Sequence, residues 1–437
     1  MKNPIVLIAI ILLSLFTVYS CNSNANNSAN SGPRKVELKK VNEVNRFYVD
    51  GEVFYVKGAG IELDKMEALA KSGANSFRTW NTQYGDITGK QILDEAHKHG
   101  LMVLMQLEVG RERHGFDYDD EDWVAKQHEE LREQVMELKD HPALLSWGIG
   151  NELNLFYSNL KVWDAVDNIA RMIHEVDGNH PTTTMFAGIS RVEIDSVMSR
   201  CSHIDYVSIQ SYADIENLQT RLSDANYNGP YLVTEWGATG HWEVGLTEWG
   251  APIEQNSTEK AEAIQRRYEK VIAADTNNCL GSYAFYWGQK QERTPTWYGF
   301  FTENGRATEA IDVLYYCWNG EWPENRAPQI ISAKIKGNDK SCNAKLVKEG
   351  RYQASVSYYD PEGDEVTIIA EIMPESKDVG DGGDLESRPE SITEMIEVKG
   401  NLIEFNAPVK EGAYRLFVYV NDGYNHVGTV NIPFFVE

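Results

Sequence analysis

Apolar residues recur along this chain in two alternating rhythms. A short run of consecutive apolar residues is followed by a stretch whose apolar positions lie three and four apart. The first rhythm is that of a buried strand and the second that of an amphipathic helix. Strands are predicted over Phe54–Ile61, Asn75–Trp80, Leu101–Val109, Ala143–Gly150, Thr182–Ala187, Ile204–Ser211, Tyr231–Thr234 and Leu280–Trp287. Helices are predicted after each of them, at Leu63–Ser72, Gly89–His99, Asp122–Lys139, Val162–Val176, around Ile194–Ser199, after Ile215, and at Glu259–Ala274 and Thr308–Trp318. Alternating strands and helices imply a parallel sheet covered by helices. Eight such units in roughly 270 residues predict a closed (β/α)8 TIM barrel over residues 36–322. An open doubly wound sheet competes with it, but the first strand-helix turn, Lys57-Gly58-Ala59-Gly60-Ile61, lacks the third glycine of a dinucleotide turn.

Before the first unit, two alternating segments flank Val49-Asp50-Gly51, a hairpin signal. After Trp322 the helical rhythm stops at a proline-flanked junction, Pro323-Glu324-Asn325-Arg326-Ala327-Pro328. From there to Glu437 the apolar runs are short and alternating, as in Ile330–Ile335, Tyr414–Val420 and Gly428–Val436. About seven short strands in roughly 110 residues predict an immunoglobulin-like β-sandwich over 323–437, so the whole is an α/β barrel followed by an all-β domain.

The N-terminus follows neither rhythm. Lys2 precedes an apolar run from Ile5 to Val18, and Val18-Tyr19-Ser20-Cys21 closes it. This is the pattern of a secretory signal over 1–20, too short to span a membrane. Its final four residues resemble a bacterial lipoprotein cleavage box, which implies lipidation of Cys21. The polar stretch that follows, to residue 35, reads as a flexible tether. The expected location is the cell envelope, with the chain held to a membrane by its lipid. Export permits disulfides among Cys201, Cys279, Cys317 and Cys342. Three full pairings are open, but four plain buried thiols is the favoured reading.

Composition narrows the ligand. The formal net charge is −25, from 41 basic and 66 acidic residues. That argues against nucleic acid and disfavours polyanionic substrates. Eleven Trp and 22 Tyr supply flat rings suited to the apolar faces of sugars.

The active site of a TIM barrel sits at the C-terminal ends of its strands. Polar residues at those ends are Arg78 with Trp80 after strand two, Asn151-Glu152 after strand four, Tyr212 after strand six, and Glu235-Trp236 after strand seven. Trp287 ends strand eight. Two carboxylates delivered to one face by two buried strands need a reason, since a buried charge is costly unless paired. Structural ion pairs would supply one. Glycoside hydrolysis supplies another: one carboxyl protonates the leaving oxygen while a second attacks the anomeric carbon. Trp242, Trp249, Trp297 and Tyr298 lie on loops near the same rim, with His114 and Asp117 as weaker candidates. The aspartates of Asp378-Val379-Gly380-Asp381-Gly382-Gly383-Asp384 do not match a standard calcium loop, and read as a flexible acidic loop.

Taken in order, Arg78, Asn151-Glu152, Tyr212, Glu235 and Trp287 resemble the signature of the clan A glycoside hydrolases. The resemblance covers about residues 36–322. It implies a retaining β-glycosidase with Glu152 as acid/base and Glu235 as nucleophile. Asn151 would bind the sugar 2-hydroxyl. Arg78 and Tyr212 would hold the nucleophile ionised, Trp287 would floor the sugar site, and Trp80 and Trp236 would line it. Gln210 departs from the histidine that many members carry. The layout of tether, barrel and immunoglobulin-like tail resembles glycoside hydrolase family 158, endo-β-1,3-glucanases, and the barrel resembles the family 2 catalytic domain. The expected enzyme is a monomer that cleaves a neutral β-glucan, with β-1,3 linkage the favoured one, and needs neither metal nor organic cofactor. A transglycosylase with the same site and a glycan-binding protein with a degenerate site are the rivals. The C-terminal domain is expected to brace the barrel.

Overall fold

The computed structural model describes residues 32–337 and 342–437. The expected signal segment and lipidated Cys21 lie outside these residues. Among the described residues, no helix is long and apolar enough to cross a membrane.

The chain opens with a three-stranded antiparallel sheet, β1 (Val36–Val41), β2 (Val44–Val49) and β3 (Glu52–Phe54). The predicted hairpin is therefore a meander, with its second turn at Asp50-Gly51. Eight parallel strands follow: β4 (Val56–Ile61), β5 (Ser76–Arg78), β6 (Met102–Leu107), β7 (Leu144–Asn151), β8 (Thr182–Ala187), β9 (Tyr206–Gln210), β10 (Tyr231–Glu235) and β11 (Cys279–Trp287). They close in sequence order, and β11 returns to pair with β4. At that seam Gly281 adopts φ +118°, and a Cβ there would sit 2.1 Å from the Val56 carbonyl oxygen. Only glycine permits the two backbones to approach so closely.

Each barrel strand is followed by a helix: α1 (Met66–Lys71), α2 (Gly89–Lys98), α3 (Glu121–Leu138), α4 (Lys161–Val176), α5 (Arg191–Arg200), α6 (Leu218–Asp224), α7 (Ser257–Arg267) and α8 (Glu309–Asn319). Local chemistry marks their starts. Thr88 with Gln91, and Asn256 with Glu259, form reciprocal capping boxes at α2 and α7. Apolar residues on the outer side of the strands, such as Trp147 and Ile149, pack against the helices in the main core. A second cluster joins Val36, Phe47 and Val49 of the first sheet to Met102, Leu104, Leu145, Leu232 and Leu280, near the N-terminal ends of the barrel strands. The first sheet thus seals the end of the barrel away from the expected site. Backbone bonds from Val36 to Asn179 and from Asn45 to Asn277 fasten it there.

The C-terminal domain is a sandwich of two four-stranded sheets. One contains β12 (Gln329–Ile335), β14 (Arg351–Tyr359), β16 (Ile396–Lys399) and β17 (Leu402–Asn406). The other contains β13 (Ala344–Leu346), β15 (Thr367–Pro374), β18 (Gly412–Asn421) and β19 (Val427–Val436). Alternate residues of both inner faces, among them Val356, Ile372, Phe405, Leu416, Val418 and Phe434, form its core. The contact with the barrel is polar and buried. Arg415 donates to the Pro252 carbonyl at 2.6 Å and pairs with Glu375 at 2.9 Å. Glu254, on the loop before α7, accepts from Lys260 and from Asn431 of β19, each at 2.5 Å. Cys201, Cys279 and Cys317 are free thiols.

Candidate active site

The end of β10 carries Glu235, which is 6% exposed. Both of its carboxylate oxygens are held. Oε1 accepts from Arg78 Nη1 at 3.0 Å and from Trp80 Nε1 at 2.9 Å, and Oε2 accepts from the Tyr212 hydroxyl at 3.0 Å. Burial raises the Tyr212 hydroxyl well above its ordinary pKa, so it remains a donor. Three donors, one of them the Arg78 guanidinium, thus satisfy both oxygens of a buried carboxylate. Arg78 is itself fully buried. Its guanidinium lies over the Trp80 ring, 4.9 Å from the centroid. The Trp80 ring packs against β4, where a Cβ on Gly60 would be 2.2 Å from it. The glycine is what allows the indole to reach Glu235.

Arg78 also organises the end of β7. Its Nη2 donates to Asn151 Oδ1 at 2.8 Å and to Gln106 Oε1 at 2.6 Å. Gln210 Nε2 donates to the same Asn151 oxygen at 2.6 Å. With Oδ1 bonded twice, the Asn151 amide is fixed in orientation. Gln210, the residue that departs from the clan pattern, here does the work of aligning Asn151.

The next residue, Glu152, leaves the strand in the left-handed region, φ +51°, after Gly150 at φ +72°. Its N–H bonds the Met185 carbonyl at 3.0 Å. That turn ends β7 at Asn151 and leaves Glu152 as the first residue beyond the strand. Burial first, and then the negative charge of Glu235, raise its pKa to about 8 against the opposing charges of Arg113, Arg78 and Arg111. The two carboxyls therefore have opposite environments. Glu235 is held by donors and a cation, whereas Glu152 is kept protonated by burial and by its neighbour's charge. Such a division is what an acid paired with a nucleophile requires.

Two expected site residues are not at the site. Trp236 is fully buried, and its ring stacks on Tyr268 at 6.0 Å. Trp287 is likewise fully buried, stacked on Trp318 of α8 and edge-on to Phe301. Strand alternation explains the first, and a register shift on β11 between Ala284 and Trp287, which breaks the alternation that would put Trp287 on the face of Phe285, accounts for the second. Glu235 faces the barrel axis, so its neighbour Trp236 faces the helices. On β11 the ring near the site is Phe285, which lies edge-on to Trp80 and to Tyr212, each at 5.9 Å, with Tyr286 beside it. The Phe285–Tyr286 peptide is cis. Of the loop aromatics, Trp242 is 59% exposed and edge-on to Tyr212 at 5.3 Å. Trp297 and Tyr298 are buried supports, and Trp249 packs on Phe435 of the sandwich. Asp117 is on an exposed turn, where it accepts from the Asp119 N–H. His114 faces Asp384 at 3.4 Å.

Other members of the site were missed by sequence reasoning. Gln106 was hidden inside an apolar run on β6, where its only signal was a polar residue on an otherwise buried strand. The Tyr84 hydroxyl receives the Trp80 N–H at 2.6 Å, and the sequence carries no sign of that contact. Among the described residues, no group of His, Cys, Asp and Glu could hold a metal ion.

A model of glycosyl hydrolases family 2, TIM barrel domain, matches residues 41–303. A β-glucuronidase of Paenibacillus borealis is 22% identical over 324 residues, which cover 64% of this chain and 52% of that protein. The chain thus spans about half the length of that relative. An FMN-binding β-glucuronidase from Facaelibacterium prausnitzii L2-6 superposes with a TM-score of 0.50 at 15% identity, over 93% of this chain and 59% of the other. At that identity the likeness is one of fold.

Proposed function

Because this chain belongs to glycosyl hydrolase family 2 through its TIM-barrel domain, we propose that it is a retaining β-glycosidase acting on a neutral β-glucan, β-1,3-linked. The observation that carries the reaction type is the asymmetry of the two carboxyls. Glu235, held by Arg78, Trp80 and Tyr212, attacks the anomeric carbon. Glu152, protonated at rest, gives its proton to the departing glycosidic oxygen. The bond from Glu235 to the sugar forms as the bond to the leaving oxygen breaks. Glu152, now a carboxylate, then takes a proton from water, whose oxygen displaces Glu235 and restores the starting state. Asn151 donates to the sugar 2-hydroxyl, a contact that strengthens in the transition state.

The net charge of −25 favours a neutral sugar, and apart from Arg113, whose Nε and Nη1 have no hydrogen-bond partner among the described residues, the cations near the mouth are already engaged. Arg78 is committed to Glu235, while Lys290 and Arg293 bond to main-chain carbonyls of the C-terminal domain. Arg111 donates to the Asn151 carbonyl. The linkage rests on the resemblance of the layout to family 158, and the location in the envelope rests on residues 1–21. A panel of β-1,3-, β-1,4- and mixed-linkage glucans, run beside aryl β-glucosides and aryl β-glucuronides, tests the substrate. Proton NMR of the first product anomer tests retention. Turnover of glucans with β-product first supports the proposal. Preferential turnover of the glucuronide would replace the neutral sugar with a uronide, and release of the α-anomer would overturn the retaining mechanism.

A further inference from the structure

One loop of the C-terminal domain, residues 378–386, lies on the barrel. Lys290 Nζ donates to the Gly383 carbonyl at 2.8 Å, Arg293 Nη2 to the Gly380 carbonyl at 3.2 Å, and the Arg293 main-chain N–H to Glu386 at 2.6 Å. Lys290 and Arg293 follow β11. On the other side, Arg113 Nη2 reaches the Gly382 carbonyl at 3.5 Å, and His114 faces Asp384 at 3.4 Å. These two residues follow β6. Gly382 also meets Leu155, on the loop that follows β7 and carries Glu152: a Cβ on Gly382 would lie 2.8 Å from the Leu155 side chain.

In the eight-stranded ring β7 and β11 are four strands apart. They stand on opposite sides of the mouth. A single loop in contact with residues beyond both must cross the mouth, where a TIM barrel takes its substrate. The loop is built to hold that position. Glu386 accepts the Gly380 N–H at 3.0 Å, and Asp378 accepts the Ser387 N–H at 2.9 Å. Gly382 has φ +59°, and a Cβ there would fall 2.0 Å from Arg113 Nη1. Glycine at this point lets the loop lie flush on the barrel.

We propose that the C-terminal domain forms part of the substrate site, its 378–386 loop walling the saccharide cleft beside Glu152. The inference rests on the glycosidase reading. The acid/base side is where the leaving saccharide departs, so the wall meets the leaving chain and not the sugar that is transferred. Arg113 adds a second link: it lies under the loop, and it is the cation that most strongly opposes the raised pKa of Glu152.

The test compares two substrates in the full chain, a soluble neutral β-gluco-oligosaccharide and a p-nitrophenyl β-glucoside whose leaving group is too small to extend along the wall. Gly382→Val lifts the loop through its Cβ. A second variant replaces residues 380–384 with a short Gly-Ser turn. Hydrogen exchange confirms that the loop is displaced, and thermal unfolding confirms that both domains remain folded. KM for the oligosaccharide should rise about ten-fold in both variants, with kcat nearly held and a smaller change on the aryl glucoside, as expected when binding of the leaving chain is lost. An unchanged KM for the oligosaccharide with the loop displaced would overturn the proposal. So would equal losses on both substrates, which would make the loop a brace. Wild-type turnover of the aryl glucoside tests the glycosidase reading separately.

Discussion

Glu152 is defined by what surrounds it more than by its own chemistry. A carboxyl with an ordinary pKa of 4.5 is pushed to about 8 by burial and by Glu235. As the acid, it must be protonated, so kcat/KM should fall as pH rises through about 8. In Glu152→Gln that alkaline limb should vanish, and turnover of a saccharide should drop about 10²- to 10⁴-fold. The same group affects stability. Its pKa is raised on folding, so between pH 4.5 and about 8 the folded chain keeps a proton that the unfolded chain releases. Its contribution to stability is therefore full below pH 4.5 and is lost as pH rises through about 8. The melting temperature of Glu152→Gln should gain on wild type as pH climbs through that window. A difference that stayed constant with pH would contradict the raised pKa.

At the scale of elements, a residue's role depends on which face of its strand it occupies. Trp80 and Trp287 are both tryptophans at strand ends, yet one bonds the nucleophile and the other packs between barrel and helix. Trp80→Phe should lower kcat about ten- to a hundred-fold, through loss of a hydrogen bond to a charged group, with little change in melting. Trp287→Ala should cost about 3–5 kcal/mol of stability, read by denaturant titration, while the folded fraction keeps its kinetic constants. The sequence rhythm placed eight strands and both glutamates because apolar runs and the polar residues that end them are local signals. It misplaced Trp236 because adjacent residues of a strand face opposite ways, and Trp287 because a register shift on β11 between Ala284 and Trp287 breaks the count of the pleat. Gln106 was missed for a related reason: a long-range partner, Arg78, is what makes a polar residue on β6 tolerable. The place of residues 378–384 was equally hidden, since they read as a flexible acidic loop until the fold brought the Gly382 and Gly383 carbonyls to Arg113 and Lys290.

At the scale of the molecule, barrel and sandwich share buried charges. Glu254 accepts from Lys260, Thr294, Thr296 and Asn431, so barrel and sandwich residues converge on one carboxylate. Glu254→Ala would leave Lys260 buried without its counter-ion, which costs about 3–5 kcal/mol. Calorimetry should show a lower melting temperature and a transition that splits as the domains uncouple. An unchanged single transition would mean that the interface is held elsewhere. The sealed end of the barrel has a different kind of consequence. The chain arrives there, at β1, on the pole opposite the catalytic mouth. Glu437 pairs with Lys345, which also reaches Glu248 on the loop beyond β10. These two places give the molecule a compass. A surface that gripped the first sheet would leave the mouth turned outward to passing polymer, whereas one that gripped the molecule around Lys345 and Glu248 would press that mouth toward whatever holds it.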